Sequence, residues 1–170
     1  KPGPNKFDLT RWDPAYFKRL KDFMTEAGRC GVVVELTFFC PNYGRERQWK
    51  SSPMHAANNV NGVGKVKRTD VYTLDRHGGL LAVHEAMVRK IGAELEDFDN
   101  LYYEICNEPY QGKLPMDWHD AMAEAVTAAQ SDLPNRHLIS WKVANHGDKA
   151  VVRDPHPAYS IFNFHYSNPP

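Results

Sequence analysis

The sequence predicts an α/β chain built around a parallel sheet. Along its 170 residues, segments of strand character alternate with segments of helical period. That order suits parallel strands joined by right-handed crossovers. Four strand-like stretches stand out, at 32–40, 101–108, 137–143 and 160–166. In the second, the aromatic run Leu101-Tyr102-Tyr103-Glu104-Ile105-Cys106 passes into Asn107-Glu108, and Pro109 then stops the ladder because it has no N–H to donate.

The first element is a helix. Asp13 supplies an N-cap acceptor and Pro14 suits the first helical position. Phe17, Leu20, Met24 and Ala27 then recur at helical spacing until Gly28 or Gly31 ends the helix. Residues 32–40 follow as a near-continuous apolar run, the pattern of a strand buried on both faces. Glu35 inside that run needs a partner, because desolvating an unpaired charge costs several kcal/mol, and a structural ion pair is expected.

From Pro41 to about Leu74 no helix or strand period is evident. Long connections in compact domains are usually functional or disordered. This one holds Tyr43, Arg45, Arg47, Trp49, His55, Asn58, Asn59 and Asn61. Aromatic faces with amide and imidazole hydrogen-bonders suit a sugar ring, which has an apolar C–H face and a rim of hydroxyls. Trp49 is a candidate stacking platform for substrate, with anchoring of the loop as the equal alternative. The asparagines suit turn chemistry as well as they suit a ligand.

Residues 75–97 return to helix, with Leu80, His84, Met87, Ile91 and Leu95 on one face. His84 on that stripe reads as a core histidine. A third helix follows Pro115 and buries Trp118, Ala121, Met122, Ala125, Ala128 and Ala129. The strand at 137–143 comes next. The crossover at 144–158 is too polar and too broken by proline for a good helix. In the last strand Asn163 and His165 share one face.

Lys plus Arg and Asp plus Glu both number 21, so no net charge points to nucleic acid or an anionic membrane. No run approaches the ~18 apolar residues of a membrane helix. The three cysteines, Cys30, Cys40 and Cys106, show no metal-ligand spacing and cannot all pair. Cys40 and Cys106 are expected to be small buried thiols. No Gly-rich phosphate loop and no His-Glu-x-x-His occurs, so neither a cofactor nor a metal is expected. Lys142, the one candidate for Schiff-base chemistry, is expected to face solvent or a helix. Lys1-Pro2-Gly3-Pro4 lacks the apolar region of a signal peptide, and a secreted parent fits as well as an excised piece.

Tyr103-Glu104-Ile105-Cys106-Asn107-Glu108-Pro109 resembles the acid/base signature of clan A glycoside hydrolases, the retaining (β/α)8-barrel enzymes that include the family-five cellulases. The resemblance implies that Glu108 is the general acid/base and that Asn107 contacts the sugar 2-hydroxyl. The nucleophile is implied to be a second Glu, ending strand seven. Phe164-His165-Tyr166 resembles, less closely, the His and aromatic residue near the end of strand six. It implies His165 as a substrate ligand and, more weakly, Tyr166, which stands one residue from the His where the clan places an aromatic two residues on.

If Glu108 ends strand four, then 32–40, 137–143 and 160–166 are strands three, five and six. Residues 1–170 are then expected to be a single partial TIM-barrel domain, about strands three to six, truncated at both ends, where a whole barrel takes about 250 residues. The nucleophile is expected beyond Pro170. Glu104 is no substitute, since it lies four residues deeper, roughly 13 Å from Glu108 at about 3.3 Å per residue. The implied activity is cleavage of O-glycosidic bonds in a β-linked poly- or oligosaccharide by double displacement, with this stretch inactive alone. A non-catalytic carbohydrate-binding barrel, a small doubly wound domain and another α/β enzyme such as an aldolase are the alternatives.

Overall fold

The computed structural model of the chain describes residues 6–41, 45–75, 77–109, 114–133, 136–145 and 154–165. Of these, His77, residues 143–145 and His165 are described by their backbone alone. Helix α1 (Pro14–Arg29) begins where the Asp13 carboxylate accepts the Ala15 N–H at 2.9 Å. It ends at Gly31, whose φ of 71° turns the chain so that the Val32 N–H reaches the Ala27 carbonyl. Strand β1 (Val34–Phe39) and the short helix α2 (Glu46–Ser51) follow. Next come α3 (Leu80–Leu95), β2 (Leu101–Cys106), α4 (Met116–Ala129), β3 (Ile139–Asn145) and β4 (Ile161–His165).

The four strands are parallel and stand side by side in chain order. An order that never reverses, with crossovers of one hand, puts the connecting helices on one face of the sheet. A doubly wound sheet reverses its order and takes helices on both. Leu36, Tyr103, Ile105, Ile139 and Trp141 accordingly share one core with Met24 of α1, Val88 and Leu95 of α3, and Trp118 and Met122 of α4. Ala123 and Val126 are buried in that core, while Ala128, expected there, is exposed.

The opposite face differs from expectation. Register pairs Glu35 with Tyr102, Thr37 with Glu104, Glu104 with Ser140, and Lys142 with Asn163. Paired residues in a parallel ladder share a face, so these polar groups line the side away from the helices. The strands alternate between an apolar and a polar face rather than being apolar on both.

The connection between β1 and α3 is more ordered than its lack of periodicity suggests. It holds α2 and a 3-10 turn at Arg68–Asp70, and it has a small core of its own from Trp49, Val71 and Leu80. Its asparagines bind backbone. Asn59, buried, donates to the carbonyls of His55 and Val63, both at 3.0 Å. Asn58 donates to Lys50 and Ser52, both at 2.8 Å. Gly64 has φ 79° and lies where a Cβ would stand 1.8 Å from the Met54 carbonyl oxygen, so no side chain fits there.

His84 is a core histidine, its ring 5.1 Å from Phe39 and 5.3 Å from Tyr72. Burial pushes the pKa of His84, and that of His119, down to about 4. In the unfolded chain both imidazoles take up protons near pH 6.5. The unfolded state therefore binds more protons between pH 6.5 and about 4, so stability present above pH 6.5 is lost as pH falls through that window. The loss is at most about 1.4 kcal/mol per pH unit for each histidine. Glu35, whose pKa is raised, acts in the opposite direction. The urea midpoint should fall between pH 7 and 4.5, and His84→Phe should flatten that fall. An unchanged slope in the variant would contradict the assignment.

Candidate active site

Parallel strands bring their C-terminal ends to one rim. At the end of β2 the ladder runs one rung further: the Asn107 N–H donates to the Phe39 carbonyl at 3.0 Å. Glu108 then takes φ 46°, a left-handed conformation in a residue that has a Cβ. Such a step costs roughly 1–2 kcal/mol outside glycine. It also ends the strand alternation, which by itself would put Glu108 on the face of Cys106 and Glu104. Strain of this kind persists where the surroundings over-determine it, and it clusters at functional sites.

Beneath the rim lies a polar chain that crosses three strands, exposed at Thr37 and buried at Glu104 and Lys142. The Thr37 hydroxyl donates to Glu104 Oε2 at 2.6 Å. Lys142 Nζ stands 2.8 Å from Glu104 Oε1 and donates to Asn107 Oδ1 at 2.6 Å. Glu104 is 1% exposed and Lys142 7%, so this is an ion pair away from bulk water. Lys142 was expected to face solvent or a helix. The register instead sets it on the polar face, two residues beyond Ser140, the partner of Glu104. A lysine held by two acceptors is a fixed cation, and Schiff-base chemistry needs a free amine.

Glu35 also departs from expectation. The ion pair foreseen for it is made by Glu104. Glu35 sits half-buried near that pair, and its pKa is raised, first by burial and then by the charge of Glu104, against the pull of Lys142. Cys40, expected to be buried, is exposed, whereas Cys106 is buried and burial pushes its thiol pKa up.

Trp49 is not a stacking platform. It is 1% exposed, packs on Val71 and Leu80, and donates its indole N–H to the Val66 carbonyl at 3.2 Å, so neither ring face is left for a sugar. His165 is the last residue of β4 and pairs in register with Asn145, on the same rim as Asn107. Tyr166 and Tyr43 lie outside the described residues. The structure thus ties Asn107 to Lys142 and, through it, to Glu104, two residues whose roles the sequence did not reveal. The signal that could have found them is the strand register, which periodicity does not supply. Among the described residues no group of three His, Cys, Asp or Glu side chains is arranged to hold a metal ion, and no helix is long and apolar enough to cross a membrane.

No family model and no curated protein matches the chain. Solved structures do. Three are of endo-glycoceramidase II from Rhodococcus sp., each matched over 82% of this chain and 38% of that one. The complex with a cellobiose-like imidazole has a TM-score of 0.56 at 17% identity. The lactosyl-enzyme intermediate gives 0.55 at 17%, and the complex with a cellobiose-like isofagomine 0.53 at 16%. At such identity the likeness is one of fold, and the chain spans about two fifths of the length of the structures it matches, 38%.

The left-handed step gives a direct test. Glu108→Gly should be more stable to urea than Glu108→Ala by about 1 kcal/mol, because glycine adopts φ 46° freely. Equal stability of the two variants would show that the residue is not held there.

Proposed function

We propose that the whole protein is a retaining glycoside hydrolase acting on a β-linked poly- or oligosaccharide, with this chain forming about strands three to six of a (β/α)8 barrel. The observation that carries the reading is Glu108, turned out of the end of a parallel strand by a left-handed step directly after Asn107. The C-terminal rim is where (β/α)8 enzymes carry their chemistry. The unreversed strand order and the fold likeness to the endo-glycoceramidase II structures support it. One of those structures is a lactosyl-enzyme intermediate, and a glycosyl-enzyme species is what a double displacement passes through.

In the first step Glu108 gives its proton to the glycosidic oxygen as the bond from that oxygen to the anomeric carbon breaks. A second carboxylate, about 5 Å away, forms the new bond to that carbon. This nucleophile is proposed to be a Glu that follows Pro170 in the whole protein. In the second step Glu108, now a carboxylate, takes a proton from water, whose oxygen displaces the nucleophile. Asn107 binds the 2-hydroxyl, where contacts strengthen at the transition state. His165, and more weakly Tyr166, remain proposed substrate ligands on the rim. Carbohydrate is the only partner this reading needs.

Glu108→Gln in the whole protein should lower kcat/KM on a glycoside with a poor leaving group by about 10²–10⁴-fold, the usual worth of general acid help. An aryl glycoside with an activated leaving group needs little of that help and should lose far less in its glycosylation step. Equal losses on both substrates would remove Glu108 from the role of acid.

A further inference from the structure

We propose that Lys142 is a positioning residue that fixes the polarity of the Asn107 carboxamide, and so sets which group at sugar position 2 the site accepts. The proposal rests on the reading of Asn107 and Glu108 given above. An ammonium only donates hydrogen bonds. Lys142 Nζ is 2.6 Å from one branch of the Asn107 amide, so that branch must be the oxygen, and Nδ2 must be the other. Oxygen and nitrogen of an asparagine are otherwise easily exchanged. Here a pure donor decides between them.

The lysine is itself held. Glu104 Oε1 stands 2.8 Å from Nζ, and Thr37 donates to the other oxygen of that carboxylate at 2.6 Å. The backbone of Asn107 is fixed by its bond to Phe39. Residues of β1, β2 and β3 therefore converge to set one amide. Any group that Asn107 binds through its other branch must accept a hydrogen bond. A 2-hydroxyl can do so. A protonated 2-amino group offers only donors and meets the nearby Lys142 cation as well. The site should therefore take 2-hydroxy sugars and refuse 2-amino-2-deoxy sugars.

The pair is best replaced together, because removing one partner leaves the other charged and buried. In the whole protein, kcat/KM would be measured with an aryl β-cellobioside for Asn107→Ala, for Lys142→Met with Glu104→Gln, and for all three changes. Asn107→Ala and the double variant should each lose about ten- to a hundredfold, as for one well-placed hydrogen bond to substrate. The triple variant should lose no more than Asn107→Ala alone, because Lys142 acts through Asn107. Losses that multiply, or a double variant with unchanged kcat/KM, would overturn the proposal.

A second readout is independent of activity. In a ¹H–¹⁵N spectrum of the whole protein, the side-chain amide signals that vanish in Asn107→Ala should shift in the double variant. If they do not move, Lys142 does not hold the amide. Absence of cleavage, or no loss from Glu108→Gln on a glycoside with a poor leaving group, would instead count against the proposed function, and the spectrum would still decide the positioning.

Discussion

The ion pair between Lys142 and Glu104 is the contact on which the polar face of this sheet depends. Both groups are almost wholly removed from water. Each would cost several kcal/mol alone, so either is tolerable only because the other is there. Replacing such a pair with apolar side chains is often neutral or stabilising, so its presence is weak evidence of a stabilising role. What it does supply is orientation. A cation fixed by one carboxylate, which is fixed in turn by Thr37, holds an amide oxygen at the end of the next strand.

At the rim that anchoring reaches Asn107. The ladder carries Asn107 one rung past β2, and the lysine grips its side chain from below. Asn107 is tied through its backbone and its side chain, and the next residue, Glu108, takes the left-handed step. Helices α3 and α4 contribute from the other side. They bury Tyr103 and Ile105 completely, so the strand that leads to Asn107 and Glu108 is packed firmly on its helix side. A group held at the end of a packed strand is positioned more finely than one on a loop.

Much of this was legible in the sequence, and the exceptions share a cause. Helix α1 carries its own start in Asp13 and Pro14 and its own stop in Gly31, so local chemistry sufficed. The strands were legible as apolar runs, and Asn107-Glu108-Pro109 marked the end of β2. Lys142 was misplaced because its face depends on how β3 registers against β2, which no local pattern records. Trp49 was half legible: an aromatic in a polar loop must stack on something, and only the fold brings Val71 and Leu80 to it. Glu35 was correctly recognised as a carboxylate needing company, but the nearest cation is taken by Glu104.

The central claim is that Glu108 serves a double displacement at the C-terminal rim. The stereochemistry of the first product tests it most directly. Hydrolysis of a β-glycoside by the whole protein, followed by ¹H NMR before the sugar mutarotates, should show the β-anomer forming first. Two carboxyl groups about 5 Å apart require that retention. The α-anomer forming first would mean a single displacement by water and a wider separation, and it would contradict the role assigned here to Glu108.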